Sequence, residues 1–283
     1  MVVVDNRSTD GTWDVVQKFA AAGVRLHQNE RNLGLFGNFN RCLELATTRY
    51  LRLLAGDDAL APGCLAAEIE LMERHADVVM LSTRGRFVDE QGAALGAFAG
   101  DFPPGIYDGR RFARAWLEYY VHYRRNALNY PSGVLLRRPS LGGVRFDESL
   151  KTGGDIDFFF RVLERGNLAI SPALGAYVTR HRSQAHVGPN MDGTAMREML
   201  ALLEREAGAG LRDQFAGMCM AVAMQRALTG TRESARVHLR LARSTGSGWG
   251  AALGGFAKLA ACRLAGPLLG SRAPYVPRPV RAL

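Results

Sequence analysis

Lysine is almost missing from this chain. Of 36 basic residues in 283, only Lys18, Lys151 and Lys258 are lysines. With abundant alanine and glycine, that bias points to genome base composition more than to chemistry. Cysteine is scarce, at four residues (Cys42, Cys64, Cys219, Cys262). None sits in a CxxC pair and each has an apolar, helix-like context, which excludes a disulfide framework or a thiolate zinc site and reads as reduced core thiols. No charge-free apolar run reaches the roughly 18 residues a membrane span needs. The nearest, residues 250–270, is broken by Lys258 and Arg263. No signal-peptide pattern opens the chain. The expectation is a cytoplasmic protein, with peripheral contact at the inner membrane face left open. The net charge of +9 favours anionic partners such as nucleotides or phospholipid head groups. With no compact basic run or zinc spacing, nucleic acid is not among them.

What is present alternates. Residues 2–4 form a continuous apolar run, as in a parallel strand covered on both faces. A polar turn follows, then a helix with Trp13, Val16, Phe19 and Ala20 on one side, stopping at Gly23. Strands are predicted at 24–27, 50–54 and 78–82, and helices at 38–46 and 62–75, the latter with proline in its first turn. Such alternation defines an α/β fold with a mostly parallel central sheet. Beyond residue 87 the pattern loosens into a hairpin turn at 89–92, a loop at 101–109, an aromatic-rich helix at 112–123 and a strand at 132–137. A helix at 155–165 and short strands at 169–171 and 176–179 follow. From Met196 the chain reads as Ala/Leu-rich helices, ending in a loose Pro/Arg-rich tail from residue 271. The predicted organisation is a catalytic domain over 1–190 and a helical appendage over 191–283.

The stretch YLRLLAGDDALAPG, residues 50–63, runs from an apolar strand into two adjacent aspartates, Asp57 and Asp58. In open α/β sheets, ligands bind beyond the carboxyl ends of strands. Asp5 lies just past the first strand, so a parallel sheet puts both acidic clusters on one edge. Carboxylates suit Mg²⁺ or Mn²⁺, and such an ion takes one or two of them and fills its other positions with phosphate and water. The plain alternative is a solvated turn whose aspartate caps the next helix.

Several segments resemble family 2 glycosyltransferases, which have the GT-A (Rossmann-like) fold. VVVDNRSTDGT at 2–12 resembles their VVDxxSTDGT segment. Asn32-Leu33-Gly34 with Asn40, Ala46 and Tyr50 is similar to their N-x-G…N…A…Y segment. LAGDDAL at 54–60 resembles their variant DxD motif. PSGVLLRR at 131–138 and FDESL at 146–150 resemble the approach to the acceptor half, and GDIDFFFR at 154–161 with Gly166 the element supplying the base. The likeness runs in order to about residue 188.

The resemblance implies roles. Asp5, Asn32 and Asp57 would contact the nucleotide donor. Asp58 would hold the divalent cation, with His181 completing its shell or joining Arg180 and Arg182 as a clamp on the diphosphate. Asp155 would be the general base, with Asp157 as the other candidate. Where the family usually has glutamate, this chain has Gly154. His186 is a weaker candidate, and His122 reads as packing. The resemblance further implies a preceding strand–helix unit that this sequence does not show, so that Met1 is an internal position or the chain is a fragment. The expected activity is inverting sugar transfer from a nucleotide-diphosphate sugar to a glycan or lipid-linked acceptor, in cell-surface polysaccharide or glycolipid synthesis. A nucleotidyltransferase of similar fold and a non-catalytic remnant stay open.

Overall fold

A computed structural model of the chain describes residues 1–98, 101–181, 192–269 and 276–283. In order, it contains β1 (Val2–Asp5), α1 (Thr12–Gln17), β2 (Arg25–Gln28), α2 (Gly34–Leu45), β3 (Tyr50–Leu51), β4 (Ala59–Leu60), α3 (Cys64–Arg74), β5 (Val78–Val88) and β6 (Ala94–Phe98). Then come β7 (Gly105–Tyr107), α4 (Gly109–Tyr123), β8 (Val134–Arg137), α5 (Gly154–Leu163) and β9 (Asn167–Thr179). Four further helices follow: Thr194–Ala207, Arg212–Leu228, Arg232–Ser244 and Trp249–Leu269. Among the described residues, no helix is long and apolar enough to cross a membrane.

The expected α/β architecture is present, but the pairing is mixed instead of mostly parallel. β1 and β2 form a parallel pair of their own. The main sheet has the order β3-β8-β5-β9-β4, with β6 on β5 and β7 on β9, and only β5 and β9 run parallel. β5 is the central strand. Its first six residues are buried, and beyond them Arg84 and Arg86 alternate outward. This is the pattern of a strand that starts between two layers and emerges at its far end. β9 follows β5 over nearly its whole length. The register jumps where Ser82 faces Ile170 and Arg84 faces Leu174, around Pro172. Proline has no N–H for the ladder, so the strand bulges there without ending.

One hydrophobic core spans α4, α5, the sheet and the later helices. Phe146 stacks on Phe158 at 4.0 Å between centroids, and Met196, Met199, Leu203 and Phe215 close the same cluster. The core therefore does not break at residue 190. The first strand and helix form where expected, but without the expected burial. Val2–Val4 are only half-buried and α1 buries no residue, with Phe19 53% exposed. The β1–β2 pair is too narrow to carry a second layer over α1. The described part of the expected loose tail, residues 276–283, is also docked. Arg281 bridges antiparallel to Ile106 of β7, and its side chain pairs with Asp77.

Candidate functional site

The short β4–β9 ladder positions the two aspartates. Ala59 faces Tyr177 and Leu60 faces Ala176, so Asp57 and Asp58 lie beside the end of β9. One Asp58 oxygen accepts the Thr179 N–H at 3.0 Å, and the other accepts the Ser132 hydroxyl at 2.6 Å. The Ser132 oxygen in turn accepts the Ala55 N–H at 3.1 Å, fixing the turn before the aspartates. The Thr179 hydroxyl donates to the Asp57 carbonyl, and the Asp57 carboxylate lies 2.9 Å from Nε2 of His181. Burial raises the pKa of Asp58, and the charge of Asp57 adds to this; Ser132, Thr179 and the charge of Arg180 only partly offset it. Among the described residues, no basic side chain forms an ion pair with Asp58.

Asp5 belongs to a second group, at the end of the β1–β2 pair. Its carboxylate accepts the Ser8 N–H and the Gln28 side-chain amide at 2.9 Å. Burial alone would raise its pKa, but these hydrogen bonds hold it below the usual value. Asn32 stands nearby. Its Oδ1 accepts the Gly34 N–H and the Asn6 amide, both at 2.9 Å, and so fixes the start of α2. Buried Asn29 ties Asn6 to Asn38.

β9 ends at Thr179, and the two residues after it take different partners. Thr179 and His181 face the aspartates. Arg180 turns the other way, with its guanidinium 4.0 Å from the centroid of the Phe87 ring and 3.2 Å from the Tyr130 hydroxyl. Arg182 and His186 lie outside the described residues.

The aspartates of α5 have opposite surroundings. Asp157 is buried, and both its oxygens are taken: Arg161 holds one at 2.9 Å and Arg205 the other at 2.5 Å. Asp155, at the open first turn, accepts only the Ile156 N–H among the described residues. It keeps some solvent exposure, but the protein around it strips away enough water to push its pKa up to about 6. A Cβ at Gly154 would lie 2.5 Å from the Phe36 ring, so a side chain there requires the ring to shift. A carboxylate reaches the region from elsewhere. Glu198 of the Thr194–Ala207 helix accepts the N–H groups of Lys151, Thr152 and Gly153 at 2.6, 2.9 and 2.8 Å.

The sequence candidates thus separate into three groups: Asp57, Asp58 and His181; Asp5 and Asn32; and Asp155. Asp157 and Arg180 are directed to other partners. The sequence reading missed Ser132, Thr179, Glu198 and Arg205. Ser132 lies inside a quoted motif, but nothing marked its hydroxyl. Glu198 and Arg205 sit on an Ala/Leu-rich helix with no motif, more than forty residues from their partners.

The chain thus has an α/β fold with carboxylates at strand ends and another at the start of α5. A solved structure agrees at the level of fold. S. aureus TarS 1–349 in complex with UDP has a TM-score of 0.53 at 15% identity, over 88% of this chain and 82% of that one. Residues 1–134 match the family model described as Glycosyl transferase family 2. An uncharacterized glycosyltransferase of Methanocaldococcus jannaschii, MJ1057, is 25% identical over 58% of this chain and 53% of its own length. WfaP of Escherichia coli, a UDP-Glc:alpha-D-GlcNAc-diphosphoundecaprenol beta-1,3-glucosyltransferase, is 28% identical over 38% of this chain and 42% of its own. The chain spans about half the length of such curated relatives.

Proposed function

We propose that this protein transfers a sugar, with inversion, from a nucleotide-diphosphate donor to an acceptor hydroxyl in the assembly of a cell-surface glycan. The observation that carries the reading is the Asp57–Asp58 pair, locked to the end of β9 and to Ser132 within a family 2 domain. The name of WfaP, with its diphosphate-linked lipid acceptor, supports a glycan or lipid-linked acceptor here. We read the site of action as cytoplasmic, with any membrane contact peripheral.

Asp5 and Asn32 bind the nucleoside end of the donor, and Asp57 orients the part nearer the diphosphate. Among the described residues, no three His, Cys, Asp or Glu side chains form a complete cation site. Asp58 with Asp57 nonetheless offers as many oxygens as a phosphate-bridging Mg²⁺ or Mn²⁺ takes from protein, and His181 stands beside them. Such an ion, when bound, supplies Lewis-acid stabilisation of the leaving diphosphate. Asp155 is the general base, drawing the proton from the acceptor hydroxyl as that oxygen attacks the anomeric carbon. A carboxylate with a pKa near 6 is ionised at neutral pH yet more basic than an ordinary aspartate, which suits proton abstraction. Asp157 anchors α5 through Arg161 and Arg205 and is not the base.

The test is thermal unfolding with UDP, GDP, dTDP and CMP, each with and without Mn²⁺, beside Asp58→Asn. A ligand at about 100 times its dissociation constant stabilises by roughly 2.7 kcal/mol. One nucleotide should raise the midpoint only with Mn²⁺, and Asp58→Asn should abolish the rise. A radiolabelled nucleotide sugar then separates sugar transfer from nucleotide transfer. Loss of the label into nucleotidylated product, or no nucleotide response at all, overturns the reading.

A further inference from the structure

The net charge is not spread evenly along the chain. Residues 1–213 hold 26 basic and 26 acidic side chains, whereas residues 214–283 hold ten basic ones and a single acidic one, Glu233. The whole excess of +9 therefore belongs to the last 70 residues. Base composition accounts for arginine in place of lysine, but not for the loss of aspartate and glutamate from one end of a chain.

The Arg232–Ser244 helix concentrates this charge on one face. Its Ala235, His238, Leu241 and Ala242 are buried against the rest of the protein. Arg232, Arg236, Arg240 and Arg243 are all exposed. Their spacing of four, four and three residues stacks them in one stripe along the helix. None of the four forms an ion pair among the described residues. A helix face that is merely solvated is commonly laced with charges of both signs. This one has only Glu233, in its first turn.

Bulky apolar groups stand out beside the arginines. Leu239 lies within the stripe and is 39% exposed. The Arg243 guanidinium lies 5.2 Å from the centroid of the Trp249 ring. Trp249 is itself 51% exposed, and Leu253, one turn further along its helix, is 55% exposed. Arginine matches the phosphates of lipid head groups. Tryptophan suits the same depth, with an apolar ring and one polar N–H. A nucleic acid would answer the arginines but leave Leu239 and Leu253 in water.

We propose that the stripe Arg232, Arg236, Arg240 and Arg243, with Leu239 and Trp249, is a docking surface for an anionic phospholipid bilayer. The helix lies along the head groups with its opposite face held by the protein, the arrangement of an interfacial helix. The surface shares no residue with the carboxylate groups described above, so it goes beyond the glycosyltransferase reading and does not require it.

Vesicle cosedimentation of the 283-residue chain tests the proposal. Vesicles of phosphatidylcholine alone are compared with vesicles of equal parts phosphatidylcholine and phosphatidylglycerol. The chain should bind only the second, and high salt should release it by screening each contact. Arg236→Gln combined with Arg240→Gln should weaken partitioning about 25-fold, since each arginine at an anionic surface contributes about fivefold. Arg74→Gln combined with Arg114→Gln removes the same charge from exposed positions outside the stripe and should change partitioning by less than about twofold. Trp249 gives a second readout. Brominated acyl chains in the anionic vesicles should quench its fluorescence, and Trp249→Phe should remove most of that quenching. Equal binding to both vesicles, unchanged binding after loss of Arg236 and Arg240, an equal loss in the control variant, or no quenching overturns the proposal. So does binding of duplex DNA or polyglutamate by a chain that ignores the vesicles. Nucleotide-dependent thermal shifts are measured on the same variants. Their persistence where vesicle binding is lost separates failure of the docking surface from failure of the glycosyltransferase reading.

Discussion

Replacing Glu198 should loosen the loop that leads into Asp155. Its carboxylate accepts three backbone N–H groups and the Thr152 hydroxyl, the last at 2.8 Å. Hydrogen bonds to a charged group contribute about 1.5–3 kcal/mol each when buried. Glu198 is partly exposed, so solvent can replace some of the lost partners and screen the charge. Four contacts on one group are also not additive. Glu198→Ala should therefore cost about 2 kcal/mol in all, a fall of roughly 4–8 °C in Tm for a domain of this size. Glu198→Gln keeps one acceptor and should lose about half as much. The pH dependence has a definite sign. Burial would raise the pKa of Glu198, but the amides of Gly153, Lys151 and Thr152 outweigh it and hold the group below its ordinary value of 4.5. Its stabilisation is present above that value and is lost as pH falls through the lower, folded-state pKa. The Tm gap between the unaltered chain and Glu198→Gln should be full at pH 7 and shrink as the pH falls below 4.5 and through the lower folded-state pKa. The Glu198 charge also helps raise the pKa of Asp155, so the acid limb of the turnover profile should move below pH 6 in the glutamine variant. Melting within about 1 °C of the unaltered chain, together with an unmoved acid limb, would refute this reasoning.

Asp155→Asn should reduce sugar transfer by about 10²–10⁴-fold while leaving the nucleotide-dependent Tm shift in place; loss of both would place Asp155 in donor binding. In the unaltered enzyme, the rate should rise with pH through about 6, because the carboxylate must lose its proton before it can accept one. Glu68→Ala strands the buried Arg52 charge that it pairs with and should cost about 3–5 kcal/mol in chemical unfolding. The apolar double change Arg52→Met with Glu68→Leu should cost much less, and equal losses would show that the pair's charges do not matter. Gly109→Ala places a Cβ 2.1 Å from the Gly166 carbonyl oxygen and 2.2 Å from that of Leu163. Backbone must then move, at a cost of about 1–3 kcal/mol or more, and an unchanged denaturation midpoint would contradict the packing of α4 on the end of α5.

The sequence reveals the order of elements better than their lengths. Apolar runs mark β5 and β8 because both are buried on two faces. β5 runs on to Val88, where a reading by apolar residues stops at Ser82. Ser82 and Thr83 are polar yet buried, since Asn129 and Gly133 supply their partners. β9 looks like two strands because Pro172 interrupts the pattern, and the bulge that absorbs it is a property of the pair with β5. The strand-end aspartates were legible as a group from spacing alone. Their second-layer partners were not, since Ser132 and Thr179 are ordinary until β9 and the turn before β8 converge on Asp58. The sequence favoured Asp155 over Asp157 by its place at the helix start, but the arginine that reaches Asp157 from residue 205 was not legible there.

The grip of the Thr194–Ala207 helix on α5 has an evolutionary reading. Glu198 and Arg205 stand two turns apart on that helix and hold the two sides of the segment that begins α5. A recombination joining this amino-terminal half to the later helices of a relative would bring three amides without an acceptor and a buried aspartate short of one cation. Such a hybrid would be selected against even if both parental halves were sound. Residues 151–157 and the helix from Thr194 thus form one mechanical unit, and a change at Glu198 would be felt throughout the loop it holds.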